Sequence, residues 1–451
     1  MFRLVIPVLF VSVVLLISFG SFSPVFFFLL ILVFGLIISS FLANSKAHVV
    51  QLKKLWLTAL VFYSLLAVFH YYEHFYHNEI PNLDEFETFI PLVKESLKYS
   101  TSNALLFAQT NGIVGCPGFL TYIFLWARIE TMLFGEFCEM NLFYSTILLA
   151  CLYVVFLFKL LQIYVDVQNA YKYTIYYLFF SPLILYSFPI LRDLHIALLY
   201  LIGFYLLKSK HSFQYNISFL IIIVLLLTTF RFENAIFFSG FVLYYVYNKY
   251  KHNKVVLISI AFLALPLVFS FLYLGISESL ETVDAYQEYT MSRAAGGGLS
   301  SRILSLPTPI KQVATTLLSQ IFPIPPWASF EEVNPQSFPA IVMCLLMPIK
   351  TVFWFYVAYS LVRYFNRKNN RYLIIKEFGP LLLLALVYVI ACSSEYYEVR
   401  RLMAVYPLFY LVYVILRIQP QNQILNRTIR TEYLLGYGGL ILCFTLAFRL
   451  L

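Results

Sequence analysis

The residues in this sequence that could do chemistry gather in short polar stretches between long apolar ones. The earliest is Asn82-Leu83-Asp84-Glu85-Phe86-Glu87, within a hydrophilic stretch of roughly Glu73 to Cys116. Pro81 favours a fresh helix start near Asn82, which predicts Asp84 and Glu87 on one face and Glu85 on another. A carboxylate there would accept a proton from an acceptor hydroxyl, or help hold a divalent cation, Mg or Mn. The same acids would also suit a helix N-terminus or solvate an amphipathic element. Arg192-Asp193-Leu194-His195 follows at an expected hairpin tip, where its side chains could meet the first acidic loop. An Arg/Asp pair capping helix ends, with His195 at headgroup level, is the plainer account.

Cations form a second set. Arg231-Phe232-Glu233-Asn234 offers a guanidinium whose planar fork suits phosphate oxygens, unless it pairs with Glu233. Glu395-Tyr396-Tyr397-Glu398-Val399-Arg400-Arg401 places Arg400 and Arg401 as phosphate ligands or as partners of Glu395 and Glu398. In the segment 276–340, an acidic start from Glu278 to Glu288 leads to Arg293-Ala294-Ala295-Gly296-Gly297-Gly298 and a Pro-rich end, Phe322 to Trp327. Three glycines without the Lys-Ser/Thr of a P-loop do not cradle a nucleotide, so no nucleotide cofactor is expected. A lid hinged near Gly297, with Arg293 and Arg302 meeting an anion, competes with a plain loop anchored at the interface. His70, His74 and His77 have metal-ligand spacing, against a simpler interfacial aromatic belt.

The elements that must position these residues are membrane helices. The chain of 451 residues is 61% hydrophobic and 12% charged, with 31 Lys+Arg against 22 Asp+Glu. Its positive charges sit in clusters between apolar segments, which excludes a nucleic-acid stripe and fits the positive-inside rule. Apolar runs at 3–20, 24–43, 55–72, 142–160, 172–190, 195–207, 214–230, 235–248, 255–275, 341–362, 378–393, 403–416 and 433–449 read as spans. The expected fold is all-α, a polytopic transmembrane helical bundle of about thirteen spans with extracytoplasmic loops and interfacial helices. It forms one integral-membrane domain, 1–451, with a first extracytoplasmic acidic loop at 73–141 and a second long one at 276–340. The stretch 118–135 reads as an interfacial or re-entrant helix because Arg128 and Glu130 fall at its middle. The first segment reads as a retained signal anchor. Lys46, Lys53, Lys54, Lys208, Lys210, Lys249, Lys251, Lys254, Arg363, Arg367, Lys368, Arg371, Lys376, Arg417, Arg427 and Arg430 then occupy cytoplasmic loops. Six cysteines show no CxxC; Cys116 and Cys138, on one side, would allow a disulfide.

From about residue 55 to 410 the order of features resembles the GT-C superfamily of integral-membrane glycosyltransferases. The resemblance is carried by Asp84-Glu85, by Cys116-Pro117-Gly118-Phe119, by Leu133-Phe134-Gly135, and by Ser181-Pro182 followed by Leu191-Arg192-Asp193. The acidic loop here follows the third span, whereas in the family it commonly follows the first, as if an N-terminal pair had been added. The resemblance implies transfer of a sugar from a polyprenyl-phosphate carrier to an extracytoplasmic glycan, lipid or protein acceptor, at the outer face of a bacterial inner membrane. Asp84 would activate the acceptor hydroxyl, and Asp193 would position it or help bind a cation. Arg231, Arg400 and Arg401 would stabilise the leaving phosphate. Glu85, Glu87, Arg192, His195, Arg293 and Arg302 complete the expected substrate-binding set. A polysaccharide repeat-unit polymerase is the nearest enzymatic alternative. A lipid-linked saccharide flippase or transporter would instead place charges inside the bundle.

Cysteine-accessibility labelling in intact cells checks this topology. Positions in 73–116 and 276–340 are expected to label from outside, and positions 208, 251, 367 and 368 only after permeabilisation. Strong outside labelling at 251 reverses the orientation and moves the site.

Overall fold

The structure, a computed structural model, describes residues 2–43, 45–77, 84–110, 116–253, 255, 305–307, 310–311, 313–316, 338–393 and 399–450. Their regular structure is helical throughout. The helices are α1 (Phe2–Phe19), α2 (Ser23–Leu42), α3 (Lys46–His77), a π-helical turn Asp84–Phe89, α4 (Ile90–Ser96), α5 (Thr101–Thr110), α6 (Pro117–Phe134), α7 (Glu139–Leu161), α8 (Val167–Phe180) and α9 (Leu183–Tyr186). They continue with α10 (Asp193–Lys208), α11 (Phe213–Phe230), α12 (Phe232–Tyr250), α13 (Phe338–Phe365), α14 (Lys368–Ser393), α15 (Val399–Leu402), α16 (Tyr406–Ile418) and α17 (Gln423–Leu450).

Five described helices are long and apolar enough to cross a membrane: Ser23–Leu42, Lys46–Tyr72, Glu139–Leu161, Phe213–Phe230 and Lys368–Cys392. Backbone groups in hydrocarbon must be satisfied internally, which is why these runs are continuous helix. α7 is the central post, packed by α3 and α10 and buried for most of its length. The outer helices turn large apolar residues outward, among them Ile17, Phe41 and Leu225, as lipid contact requires.

The structure departs from the expected spans in instructive ways. The runs 172–190 and 195–207 become α8, of 14 residues, and α10, of 16, both shorter than a straight crossing. Ser181 and Pro182 are the reason for the first: Pro182 supplies no N–H, and the Ser181 hydroxyl instead accepts from the N–H of Leu183 at 3.2 Å. The chain then turns through α9 into an irregular stretch before α10 begins. The basic residues expected in loops lie partly on helices: Lys46, Lys53 and Lys54 on α3, Lys208 on α10, Lys249 on α12, Arg363 on α13, Lys368, Arg371 and Lys376 on α14, Arg417 on α16, and Arg427 and Arg430 on α17. Their long stems let a helix run on into the polar zone while the charge reaches water.

α6 shows what Pro-Gly-Phe and Leu-Phe-Gly do. Pro117 occupies the first turn, where its missing N–H costs nothing. A Cβ at Gly118 would lie 2.2 Å from Thr229 Oγ1, so only glycine lets α6 touch the end of α11. Gly135 closes the helix at φ 73, the left-handed conformation that favours glycine. One face of α6 is buried and the other exposes Ile129, Met132 and Leu133. Cys116 and Cys138 stand beyond opposite ends of this 18-residue helix, on the order of 20 Å apart, and both are free thiols. A disulfide between them is therefore excluded by geometry.

Glu130, on the buried face of α6, accepts from the Cys138 N–H at 2.7 Å and from the Asn141 amide, which also reaches Ser23 Oγ at 2.9 Å. Burial pushes its carboxyl up to about 7 against those two hydrogen bonds. A raised carboxyl contributes stability that is complete below about 4.5 and lost as pH rises through about 7. Glu130→Gln, which imitates the protonated form, is expected to unfold about 1–2 °C higher than the parent at pH 8 and to lose the stability difference between pH 5 and pH 8. Thermal unfolding in detergent at both pH values checks this; an unchanged pH dependence in the variant refutes it.

Candidate functional site

Asp193 begins α10 and is 6% exposed. An acid at that position is favoured by the helix N-terminus, but here it also has cations around it. Arg400 Nε lies 3.6 Å from its Oδ2, and Arg231 NH1 lies 3.9 Å from its Oδ1. Burial pushes the carboxyl up; the guanidinium groups of Arg400, Arg231, Arg192 and Arg401, in falling order, outweigh it and hold the group below the usual carboxylate range. Arg231 therefore faces Asp193.

Local structure explains how distant residues meet. Arg231 is the single extended residue between α11 and α12, so both helices end at the site. Tyr200 donates to the Asn234 carbonyl at 2.8 Å. The Tyr388 hydroxyl donates to Asn234 Oδ1 at 2.7 Å and lies 3.1 Å from the Arg401 carbonyl oxygen. That hub joins α12, α14 and α15, the short helix that carries Arg400 and Arg401. Cys116 lies within reach of Arg192, and burial pushes its thiol up.

The first acidic segment reaches the same end of the bundle through Glu85, which is fully buried. Its Oε1 accepts the Ile190 N–H at 2.7 Å, three residues before Asp193, and its Oε2 lies 2.8 Å from His70 Nε2. Phe86, Phe143 and Phe188 enclose the His70 ring. The expected α-helical face is corrected here: residues 84–89 form a π-helical turn, in which residue spacing no longer pairs positions 84 and 87 as an α-helix would. Glu85 is turned inward and Glu87 is exposed. His70 meets Glu85 through Nε2, which fixes its ring in the bundle.

Asp84 starts the π turn; its side chain lies outside the described residues, as do those of His74 and His77. Arg293, Arg302, Glu395 and Glu398 also lie outside them, with most of the segment 276–340. His195 is buried one turn into α10, enclosed by Phe119, Tyr122 and Phe230. Asp193 does not fit a Mg or Mn site, because a divalent cation would have to approach through the field of Arg400 and Arg231. Among the described residues no group of three His, Cys, Asp or Glu is placed to hold a metal. A cavity of about 620 Å³ opens near Ser23, Lys94, Glu136 and Glu139, at the far end of α6 from Asp193.

Sequence reasoning missed His70 as the partner of Glu85, and missed Tyr388 and Asn234. Tyr388 is one of 36 tyrosines and stands in an apolar run, so nothing in composition marks it. Comparison with protein-family models, curated proteins and solved structures finds no match for the chain.

Glu85→Ala would strand the Ile190 N–H and His70 Nε2 in a buried site, at a cost of about 2–3 kcal/mol. Glu85→Gln keeps an acceptor for Ile190 and is expected to cost less. Thermal unfolding together with hydrogen exchange at residues 187–192 reads the difference; equal exchange in parent and Glu85→Ala would show that the bond does not hold this stretch.

Proposed function

We propose that this protein is an integral-membrane glycosyltransferase of the GT-C kind. It transfers a sugar from a polyprenyl-phosphate carrier to an extracytoplasmic glycan, lipid or protein acceptor in a bacterial cell membrane. The observation that carries this reading is the convergence of arginines from separate chain segments on one buried carboxylate, at one end of a bundle of apolar helices. In this reading about thirteen segments cross the bilayer, and the Asp193 end faces outward.

The chemistry divides among the residues by their electrostatics. The acceptor oxygen attacks the anomeric carbon, its proton passes to a carboxylate, and the bond to the phosphate breaks with both electrons going to the phosphate. A carboxyl held low by arginines is a weak base, so Asp193 is not the proton acceptor; it holds Arg231 and Arg400 in place. Those forks bind the departing phosphate bidentately. Proton acceptance falls to Asp84, which the Glu85 hydrogen bonds tether next to the same stretch of chain. Fixed guanidinium charge takes the part that a divalent cation would play near Asp193.

Reconstitution in vesicles with radiolabelled polyprenyl-phosphate sugars, followed by separation of lipid and glycan products, tests the reading. Arg400→Lys keeps the charge and loses the fork, so turnover is expected to fall about 10- to 100-fold while the protein still inserts. Full activity in Arg400→Lys and in the Arg400→Ala/Arg401→Ala double variant would remove these arginines from the mechanism. Movement of the lipid-linked sugar across the vesicle membrane without transfer would select the flippase alternative.

A further inference from the structure

α13 carries a residue that its apolar surroundings do not explain. Lys350 is 3% exposed and makes no hydrogen bond or ion pair with any described residue. A bare ammonium inside a membrane bundle is costly, and such residues are kept where they meet an anion or a polar path.

Its position follows from its neighbours. Trp354 is one turn further along the same face and stacks on Tyr406, ring centroids 3.7 Å apart. Tyr406 is the first residue of α16, directly after the stretch that carries Arg400 and Arg401. Phe353 packs against Phe180 and Tyr410, which fixes this part of α13 against the end of α8. The other end of α13 points away from the site, since Arg363 binds Glu432 at 2.7 Å and Tyr364 binds Asn426 near the start of α17. Moving back from Trp354 to Lys350 is therefore a step of about 6 Å towards the Asp193 end.

We propose that Lys350 is a phosphate-binding cation that meets the phosphate of a lipid-linked substrate from inside the bundle, while Arg231 and Arg400 hold it from the Asp193 end. This rests on the glycosyltransferase reading above for its choice of substrate. A prenyl chain lying along apolar helices brings its phosphate to the boundary between hydrocarbon and the arginines. An ammonium there acts as a point charge that complements the planar forks.

The test uses the purified full-length protein in detergent or nanodiscs, with thermal unfolding and binding measured for polyprenyl monophosphate, inorganic phosphate and uncharged polyprenol. Lys350→Met is expected to unfold no lower than the parent without ligand, because it replaces a buried amine that has no partner among the described residues with an apolar side chain of similar length. Its affinity for polyprenyl monophosphate is expected to fall about tenfold or more, and Lys350→Arg is expected to keep most of it. Protection of the parent by polyprenyl monophosphate alone assigns the ligand as a lipid headgroup; equal protection by inorganic phosphate assigns a free phosphate. Unchanged affinity in Lys350→Met, or equal protection by polyprenol, overturns the proposal. Loss of affinity in Arg400→Lys but not in Lys350→Met would sink it and leave the glycosyltransferase reading standing. Binding as expected without sugar transfer would sink that reading and leave the phosphate site standing.

Discussion

Asp193 is the anion that allows several chain segments to come together. Guanidinium groups from position 192, from the joint between α11 and α12, and from α15 all act on its carboxylate. Without a negative charge at their centre these groups would repel one another in a poorly solvated place. Removing one partner from a buried ionic cluster commonly costs about 3–5 kcal/mol, more than most single packing contacts. The carboxylate sits at the first residue of α10, where the helix N-terminus also favours it. Its lowered basicity follows from the same arrangement, so one geometry both assembles the arginines and keeps Asp193 ionised.

The rest of the bundle serves to deliver those segments to one point. Gly118 permits contact between α6 and α11, and the Ser181-Pro182 break ends α8 early enough for the stretch before α10 to meet Glu85. Arg231, as a one-residue joint, leaves no slack between two helices, and Tyr388 ties that joint to α15. At the opposite end the contacts have another character. Lys159 caps the Leu42 carbonyl at 2.9 Å, Lys208 reaches the Glu377 carbonyl, and Arg363 pairs with Glu432. Those bonds fasten helix ends to one another without concentrating several cations on one acid.

Much of this was legible in the sequence, because charge is conspicuous against apolar helices. Asp193, Arg231 and Arg400 stood out as polar residues at the ends of apolar runs, and the structure brings them together. The roles within the first acidic segment were less legible. An α-helical period separates Glu85 from Asp84 and Glu87, but the residues form a π turn in which Glu85 is buried and Glu87 exposed. His70 stands out in the sequence only for its spacing to other histidines, which gives no hint that Glu85, 15 residues on, meets it. Lys350 fell inside an apolar run of spanning length, where one lysine does not disturb a hydropathy average. Helix lengths also escaped the pattern, since a Ser-Pro break does not change hydropathy and α8 still reads as part of a longer span.

The hydrogen bond from Ile190 to Glu85 gives the two acidic segments a fixed relation that neither could supply alone. Asp84 follows an undescribed stretch of chain, yet its Cα is about 3.8 Å from that of a fully buried neighbour. Glu85 is held in turn by a backbone N–H three residues from Asp193 and by a histidine packed among phenylalanines. A proton acceptor at position 84 and an arginine organiser at position 193 would thus be placed by one buried carboxylate with no charge chemistry of its own to perform. In the proposed reaction, separating the tasks in this way would resolve a conflict inherent in a single acid. Guanidiniums that stabilise the leaving phosphate in that reaction would also depress any carboxylate they touch, so a base would have to be positioned by hydrogen bonds rather than by those cations.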